Sequence, residues 1–233
     1  MNYVILNDTK STTIKGLLIQ SLPPISKPLM RTSVEEIDGR DGDIVTKLGY
    51  SAYDKQMSIG LFGDYNVDEV IQFFDSEGTV IFSNEPDKYY NYQIIDQIDF
   101  ERLIRFKTAT VTFHVQPFKY SAVDNVFTFN VDNENSFSIF NRGNTVARPT
   151  LTIYGTGTIN LSLNGAELFV IDIDNAGYIT IDSAQMNAYQ GDIFMNRAVT
   201  GDYDNLVLNI GTNKISWTGD VTQIIVEEFA RWI

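Results

Sequence analysis

The sequence predicts a mainly β protein with one or two helices, arranged as two domains. The first observation is an alternation of apolar and polar residues in residues 109–116 and 150–163, and such a period of two is typical of strands with one buried face. The second is a series of Gly, Asn and Asp turn signals in the C-terminal half, at intervals of roughly 8 to 12 residues, as in antiparallel β-sandwiches. We therefore expect an N-terminal β-sheet or barrel-like domain over residues 1–130 and a C-terminal β-sandwich over residues 131–233.

One helix stands out in the N-terminal half. Asn66 can cap its start, Glu69 stands three residues later as in a capping box, and Gly78 can end it. Its apolar residues fall on one face at helical spacing, and they are Val67, Val70, Ile71 and Phe74. We expect this helix to pack against a sheet that contains residues 79–83 and a long run from Leu103 to Gln116, which Pro117 would end.

A hairpin arm is predicted over residues 31–49. Its two limbs, residues 31–38 and 43–49, flank Gly39 and Gly42, which suit a turn. Three prolines precede it, at positions 23, 24 and 28, and favour an extended connection. Neither limb holds enough apolar residues to form a core, and an isolated hairpin is marginal in water. The arm must therefore pack on its own domain or on a neighbouring molecule.

The C-terminal half is predicted to consist of consecutive β-hairpins. Residues 150–154 and 158–163 predict two strands with a break from Gly155 to Gly157, and Asn164-Gly165 suits a type I′ turn into a return strand over residues 167–171. The boundary between the domains is expected near Asn130, and residues 126–130 could belong to either side.

Composition narrows the function further. The chain has 233 residues, 43% of them hydrophobic, which is enough for a substantial core. It has no cysteine and one histidine, so thiolate chemistry and Cys- or His-rich metal sites are excluded. A formal net charge of −13 argues against wrapping nucleic acid. No apolar run reaches the roughly 18 residues of a membrane span, and no signal sequence is evident, so we expect a soluble protein made in the cytoplasm.

Motifs for catalysis or metal binding are weak. Residues 38–43 suggest a calcium loop, but Arg40 occupies the third ligand position, and a start at Asp41 places Val45 at the fifth. Gly155-Thr156-Gly157 has no following helix to bind a phosphate. His114 points from the polar face of a strand, where a satisfied surface histidine is the simpler interpretation than a general base. Paired carboxylates of a wall hydrolase are conceivable, although most such residues form turns or solvated faces; the candidates are Asp172, Asp174, Asp182, Glu227 and Glu228. No catalytic, cofactor-binding or metal-binding residue is therefore assigned.

Aromatic residues of the C-terminal half offer a second hypothesis. Aromatic rings can stack on sugars, but they also dominate core and interface packing, which we favour here. The candidates are Trp217, Trp232, Tyr154, Tyr178, Tyr189 and Tyr203. The alternative function is accordingly a carbohydrate-binding module that recognises host cell-surface saccharide through the C-terminal sandwich.

An ordered set of short segments resembles one protein family over nearly the whole length. Residues 147–155, 179–183, 186–189, 200–203 and 213–219 resemble, in that order, the C-terminal domain of the distal tail proteins of long-tailed bacteriophages. Residues 36–42 and 115–120 are similar to the N-terminal half of that family. Each segment alone is weak, and the specificity lies in their order.

The resemblance implies a structural virion protein and no enzyme. Distal tail proteins form homohexameric rings with a central channel for DNA, in which an arm clasps the next subunit, and their C-terminal sandwich is galectin-like. The resemblance implies as partners the tail tube protein, the tail-tip or tail-associated protein, and receptor-binding or baseplate proteins, with no cofactor and no membrane insertion. It places the protein in the phage tail tip. It also implies that the arm carries inter-subunit contacts, through Val34, Ile37, Gly39, Arg40, Asp41, Gly42, Ile44 and Leu48.

Overall fold

The chain folds into two units, each built on antiparallel strands. The computed structural model describes residues 1–123, 126–173 and 177–233. One unit comprises Met1–Ala122 with Ile233, and the other comprises Val123–Trp232. The sequence left the side of residues 126–130 open, and the structure pairs this strand with the C-terminal unit, so the division falls before the expected Asn130. Asp174 and the turn predicted to begin there lie outside the described residues.

The N-terminal unit contains nine strands and two α-helices among its described residues. The strands are β1 (Val4–Leu6), β2 (Thr9–Lys10), β3 (Leu17–Ser21), β4 (Met30–Glu36), β5 (Asp43–Tyr50), β6 (Tyr53–Leu61), β7 (Glu77–Phe82), β8 (Lys88–Gln93) and β9 (Thr108–Ser121). The helices are α1 (Val67–Phe74) and α2 (Phe100–Phe106). Seven of the strands form one sheet in the order β2-β1-β7-β8-β9-β6-β3, and β4 pairs with β5 alone.

Helix α1 begins as predicted and ends earlier. The Asn66 side chain accepts from the Asp68 N–H at 3.1 Å, which satisfies a donor that the helix leaves free. The helix ends at Phe74, and Gly78 instead lies in β7, opposite Tyr92. The buried face is Val70, Phe73 and Phe74, whereas Ile71 is exposed. The prediction of packing on the sheet is confirmed, since these residues join the core that contains β7 and β9.

The long run from Leu103 to Gln116 is not one strand. Its first residues belong to α2, which Asp99 caps by accepting from the Arg102 N–H at 2.8 Å, and Lys107 ends the helix in the left-handed conformation. The alternation in β9 is confirmed, because Ala109, Val111, Phe113 and Val115 are all buried.

Pro117 does not end β9, which continues to Ser121. The pairing of β9 with β6 stops at Val115, and its pairing with β8 shifts register between Tyr90 and Tyr92. Pro117 therefore lies where the ladder needs no N–H donor from it, and a proline is tolerated at such a position.

The C-terminal unit holds the remaining strands around a second core. They are β10 (Val126–Asn130), β11 (Ser136–Asn141), β12 (Thr150–Leu163), β13 (Ala166–Ile173), β14 (Tyr178–Asp182), β15 (Asn187–Gln190), β16 (Ile193–Phe194), β17 (Val199–Gly201), β18 (Gly211–Glu227) and β19 (Arg231–Trp232). Strands β12 and β18 pair along their lengths, and β12 pairs on its other side first with β14 and then with β13. The prediction of a mainly β protein with antiparallel strands in its C-terminal half is confirmed, and the sheets are curled.

The predicted break at Gly155 to Gly157 is a kink inside the single strand β12. The register between β12 and β18 shifts between Tyr154 and Gly155 and again between Thr156 and Asn160. A Cβ at Gly155 would lie 2.2 Å from the Asp220 carbonyl oxygen, so the backbones approach too closely for a side chain. Two strands were predicted because a glycine pair marks turns and bulges alike.

The turn at Asn164-Gly165 is confirmed. Asn164 has φ 52° and Gly165 has φ 86°, the signs that a type I′ turn requires, and Leu163 pairs with Ala166 across it. In the described residues, no helix has the length and apolar character needed to cross a bilayer.

Gly155→Ala and Gly157→Ala distinguish two reasons why β12 contains glycine, the lack of space for a side chain and the need for a positive φ. Gly155→Ala should destabilise the protein by about 3 kcal/mol, since its Cβ meets backbone. Gly157→Ala meets no atom within 4 Å and should cost only about 1 kcal/mol, for its φ of 70°. Urea titration of the two variants measures both values, and equal losses would contradict the close approach at Gly155.

Candidate functional site

The hairpin arm formed by β4 and β5 contains no buried residue. Met30 pairs with Tyr50, Val34 with Val45, and Glu36 with Asp43, and the register shifts once between Arg31 and Thr32. The prediction of a hairpin is therefore confirmed. At the tip, the Arg40 N–H donates to the Ile37 carbonyl at 3.1 Å. Gly39 and Gly42 both have φ 80°, with no atom within 4 Å of a Cβ placed there.

Apolar side chains stand uncovered along this arm. Val34 and Val45 are cross-strand partners on one face, and each is 53% exposed. Ile37 near the tip is 49% exposed and Leu48 near the register shift is 55% exposed. Four large apolar side chains on a two-stranded element form an uncovered apolar surface, and such surfaces are typical of interaction sites.

The residues that the sequence assigned to the arm all lie on it, and most of them are exposed. Val34, Ile37 and Leu48 are exposed, Arg40 and Asp41 lie in the tip with the two glycines, and Ile44 is half-buried on the face opposite Val34. Val45 was not among the predicted residues, although it is as exposed as Val34. The turn could have indicated it, because once the turn fixes the register, Val45 becomes the partner of Val34.

The root of the arm is fixed to the core of its unit. The Asn84 side chain donates to the Pro23 carbonyl at 2.9 Å, and the Ser51 N–H donates to the Leu29 carbonyl at 2.9 Å. The Tyr50 and Phe118 rings meet edge to face, with centroids 5.8 Å apart. The prolines were predicted to give an extended connection, and residues 22–29 contain neither helix nor strand. The base of the arm is thus tied to neighbouring segments of its own unit.

A buried lysine cluster, Lys55, Lys119, Glu85 and Tyr90, lies under this root. Lys55 is 3% exposed and donates from Nζ to the Pro24 carbonyl at 2.7 Å. Glu85 accepts from Lys119 Nζ at 2.8 Å and from the Tyr90 hydroxyl at 2.7 Å. The cluster has two cations for one carboxylate, and the Lys55 ammonium has the Tyr90 ring centroid 5.0 Å away.

Burial, hydrogen bonds and neighbouring charges together shift the pKa values in this cluster. Burial lowers the pKa of Lys55 to about 8, with Glu85 opposing the change and Lys119 adding to it. Burial acts to raise the pKa of Glu85, but hydrogen bonds from Lys119 and Tyr90 and the charges of both lysines outweigh it, so this pKa is lowered. Burial raises the pKa of Tyr90, helped by Glu85, and also that of Tyr53.

The other candidate residues have structural explanations. Asp54 and His114 are directly opposite on β6 and β9, and Asp54 Oδ1 lies 2.8 Å from His114 Nδ1. No hydroxyl of the described residues hydrogen-bonds to this histidine, so a nucleophilic triad is not assembled. Residues 38–43 form the arm tip, and no group of three metal-binding side chains occurs in the described part of the chain.

The candidate carboxylates divide into two places. Asp172 is exposed on β13, opposite Thr158. Asp182 and Glu227 flank Thr150 on neighbouring strands. Asp182 accepts from the N–H groups of Ala184 and Gln185, both at 2.8 Å, as a turn-forming residue does.

Glu228 follows Glu227 with φ 54°, and burial raises its pKa, with Asp182 and Glu227 adding to the effect. Glu228 lies at the bend directly after β18, whereas Asp182 forms the turn after β14.

The aromatic candidates are mainly packing residues. Trp217 is 4% exposed and contacts Phe129 edge to face at 5.9 Å, so the interpretation as core is confirmed. Tyr203 packs on Phe169 at 5.3 Å, and Trp232 packs against the same core. Tyr154 and Tyr178 form a half-buried cross-strand pair at 5.3 Å. Tyr189 is half-buried, and burial raises its pKa.

Two features characterise this architecture. The N-terminal unit is rich in β-strands and extends a hairpin arm, and a curled antiparallel β unit follows it in the chain. Solved structures with a similar fold include proteins of two phages. The Dit protein of phage SPP1, described as a paradigm of hub adsorption apparatus in phages that infect Gram-positive bacteria, matches with a TM-score of 0.64 at 16% identity over 100% of both chains.

Chains of the phage P2 baseplate in its activated conformation match as well. The calcium form has a TM-score of 0.54 at 10% identity over 100% of this chain and 98% of that one. The strontium form has a TM-score of 0.55 at 11% identity over 97% and 96%. No family model matches the sequence, and no curated protein matches it. The resemblance to distal tail proteins is therefore confirmed at the level of the fold.

The lowered pKa of Lys55 predicts that the folded state becomes more stable as the pH rises from 8 to 10. The Lys55 ammonium loses its proton near pH 8 in the folded chain, whereas in the unfolded chain the ammonium remains protonated up to about pH 10.5. Between pH 8 and 10 the unfolded state binds more protons, so the free energy of unfolding should rise by roughly 2 to 3 kcal/mol. Above pH 10 the raised pKa values of Tyr53 and Tyr90 act in the opposite direction, since only the unfolded chain loses these protons, and stability should fall.

Urea titrations at a series of pH values, followed by circular dichroism, measure this dependence. The control is Lys55→Met, which removes the titrating group and should make the pH 8 to 10 interval flat. A wild-type curve that is flat or falls over that interval would contradict a buried ammonium at this position.

Proposed function

We propose that this protein is a distal tail or baseplate hub subunit of a long-tailed bacteriophage. It acts as a structural part of the virion and not as an enzyme. The observation that supports the proposal best is a full-length likeness to the SPP1 Dit protein, with 100% of both chains covered. The exposed arm adds a second support, since a hub subunit needs a surface that binds its own kind.

In this proposal six copies close into a ring with a central channel. The arm of one subunit covers apolar surface on the next, through the residues already placed on it: Val34, Ile37, Gly39, Arg40, Asp41, Gly42, Ile44 and Leu48. One ring face meets the tail tube protein and the other meets the tail-tip or tail-associated protein. Receptor-binding or baseplate proteins attach to the outside, and the assembly takes place in the host cytoplasm.

The charge of the chain suits a channel for DNA. Each copy carries a formal −13, and negative walls repel phosphates instead of retaining them. The protein therefore guides DNA without a specific nucleic-acid site.

The mass of the particle in solution tests the proposal. Light scattering of the purified chain should give six times its 26.3 kDa, and a ring should be visible by negative-stain microscopy. A chain that remains a monomer at every concentration up to hundreds of micromolar would contradict the hub.

The arm is tested by Val34→Asp and Val45→Asp. Each puts a charge on apolar surface that assembly covers, and each should weaken assembly by about 10- to 100-fold, since a covered valine contributes roughly 1.5 to 3 kcal/mol. The matched control is Val126→Asp on β10, where a strand valine is 55% exposed, close to the 53% of Val34 and Val45. If the control and the arm variants behave alike, the arm is not the contact.

A further inference from the structure

Helix α2 leaves an apolar surface uncovered on the same unit that bears the arm. Only Leu103 of this helix is buried. Phe106 is 71% exposed and Ile104 is 42% exposed. An open groove of about 660 Å³ runs beside the helix, lined by Asp99, Glu101, Arg102, Arg105, Phe106 and Thr108. Exposed aromatic residues next to arginine are typical of protein interfaces.

The end of α2 carries positive charge that is only partly neutralised. Arg105 pairs with Glu101 at 2.9 Å. Lys107 Nζ donates to the Tyr65 hydroxyl at 2.5 Å and lies 4.2 Å from its ring centroid. No carboxylate of the described residues lies within ion-pair distance of Arg102 or Lys107. Two cations therefore remain available in a chain whose net charge is −13.

The distal half of the arm has the opposite charge. Residues 35–43 contain five acidic residues and one basic residue, Arg40. Ile37 stands exposed among them. The arm tip thus combines negative charge with an uncovered apolar side chain, while α2 combines positive charge with uncovered Ile104 and Phe106.

We propose that the acidic tip of the arm of one copy docks on α2 of a second copy. This inference rests on the proposed function, because it identifies where the arm makes its contact. Ile37 packs on Phe106 and Ile104, and acidic residues of the tip pair with Arg102 and Lys107. The docking surface and the arm are different patches of one chain, so the contact is head-to-tail and can continue from copy to copy until a ring closes.

A cross-linking experiment tests the docking directly. The natural chain has no cysteine, so single substitutions give one reactive thiol per molecule. Asp38→Cys on the arm and Ile104→Cys on α2 are made in separate chains of different tagged length, mixed, and treated with a short bis-maleimide reagent. A product containing one chain of each length is expected, at a yield at least about five times that of Asp38→Cys mixed with Ile210→Cys. Ile210 is the matched control, because it is 60% exposed and lies in the C-terminal unit.

The outcomes separate the docking from the hub. Particles of hexameric mass without the mixed product overturn the docking and leave the proposed function standing. A chain that stays monomeric at all concentrations overturns both. A mixed product of equal yield with the Ile210→Cys control also overturns the docking, because the contact would then be unspecific.

Charge reversal gives an independent readout. Arg102→Glu should weaken assembly by about fivefold, and so should Glu35→Arg combined with Glu36→Arg. All three changes in one chain should recover at least half of the lost affinity, because the signs are exchanged and complementarity returns. Arg197→Glu, an exposed arginine of the C-terminal unit, is the control and should leave assembly unchanged. Additive losses without recovery would overturn the pairing of these two surfaces.

Discussion

A two-stranded hairpin cannot bury its own apolar side chains, and this constraint governs how the arm must work. Val34 and Val45 meet across the strands, but no second layer of the described chain covers them. Hairpins of this size are marginal in water. The arm can persist in solution because its root is held by the core, and its free surface gains most when another molecule covers it. These properties support the proposal that the arm serves in association.

The buried lysine cluster shows what a fixed root costs. Taking an ammonium out of water is unfavourable unless hydrogen bonds and charges replace its hydration. Lys55 recovers part of that cost from the Pro24 carbonyl, from Glu85 and from the Tyr90 ring. Because the Pro24 carbonyl belongs to the segment that leads into β4, the bond that satisfies the lysine also sets the starting point of the arm. An apolar residue at position 55 would pack well but would not hold that carbonyl.

Local signals explain which elements could be predicted. The period of two in β9, the cap at Asn66 and the turn at Asn164-Gly165 depend on neighbouring residues, and all three are confirmed. The predicted strand break at Gly155 and strand end at Pro117 were wrong, because the effect of each residue depends on a partner distant in sequence. Gly155 allows a close approach to the Asp220 carbonyl, and Pro117 lies beyond the end of β6. Helix α2 was missed because a seven-residue helix with one buried residue has almost no amphipathic pattern.

For the candidate site, the position of the arm followed from its glycines. The sequence did not indicate which face of the arm a partner would cover, because the pattern of a strand does not distinguish a face exposed to water from a face left for a partner.

The negative net charge of the chain limits which surfaces of two copies can contact each other. Copies that each carry −13 repel one another at long range, and only apolar burial or local charge complementarity can overcome this repulsion. Local complementarity of this kind exists between the acidic arm tip and the end of α2, where Arg102 and Lys107 lie beside uncovered apolar residues. In the proposed docking, the acidic arm is attracted to these cations. Because the arm and α2 are distinct patches, each copy would then keep a free arm on one side and a free helix on the other until a ring closes.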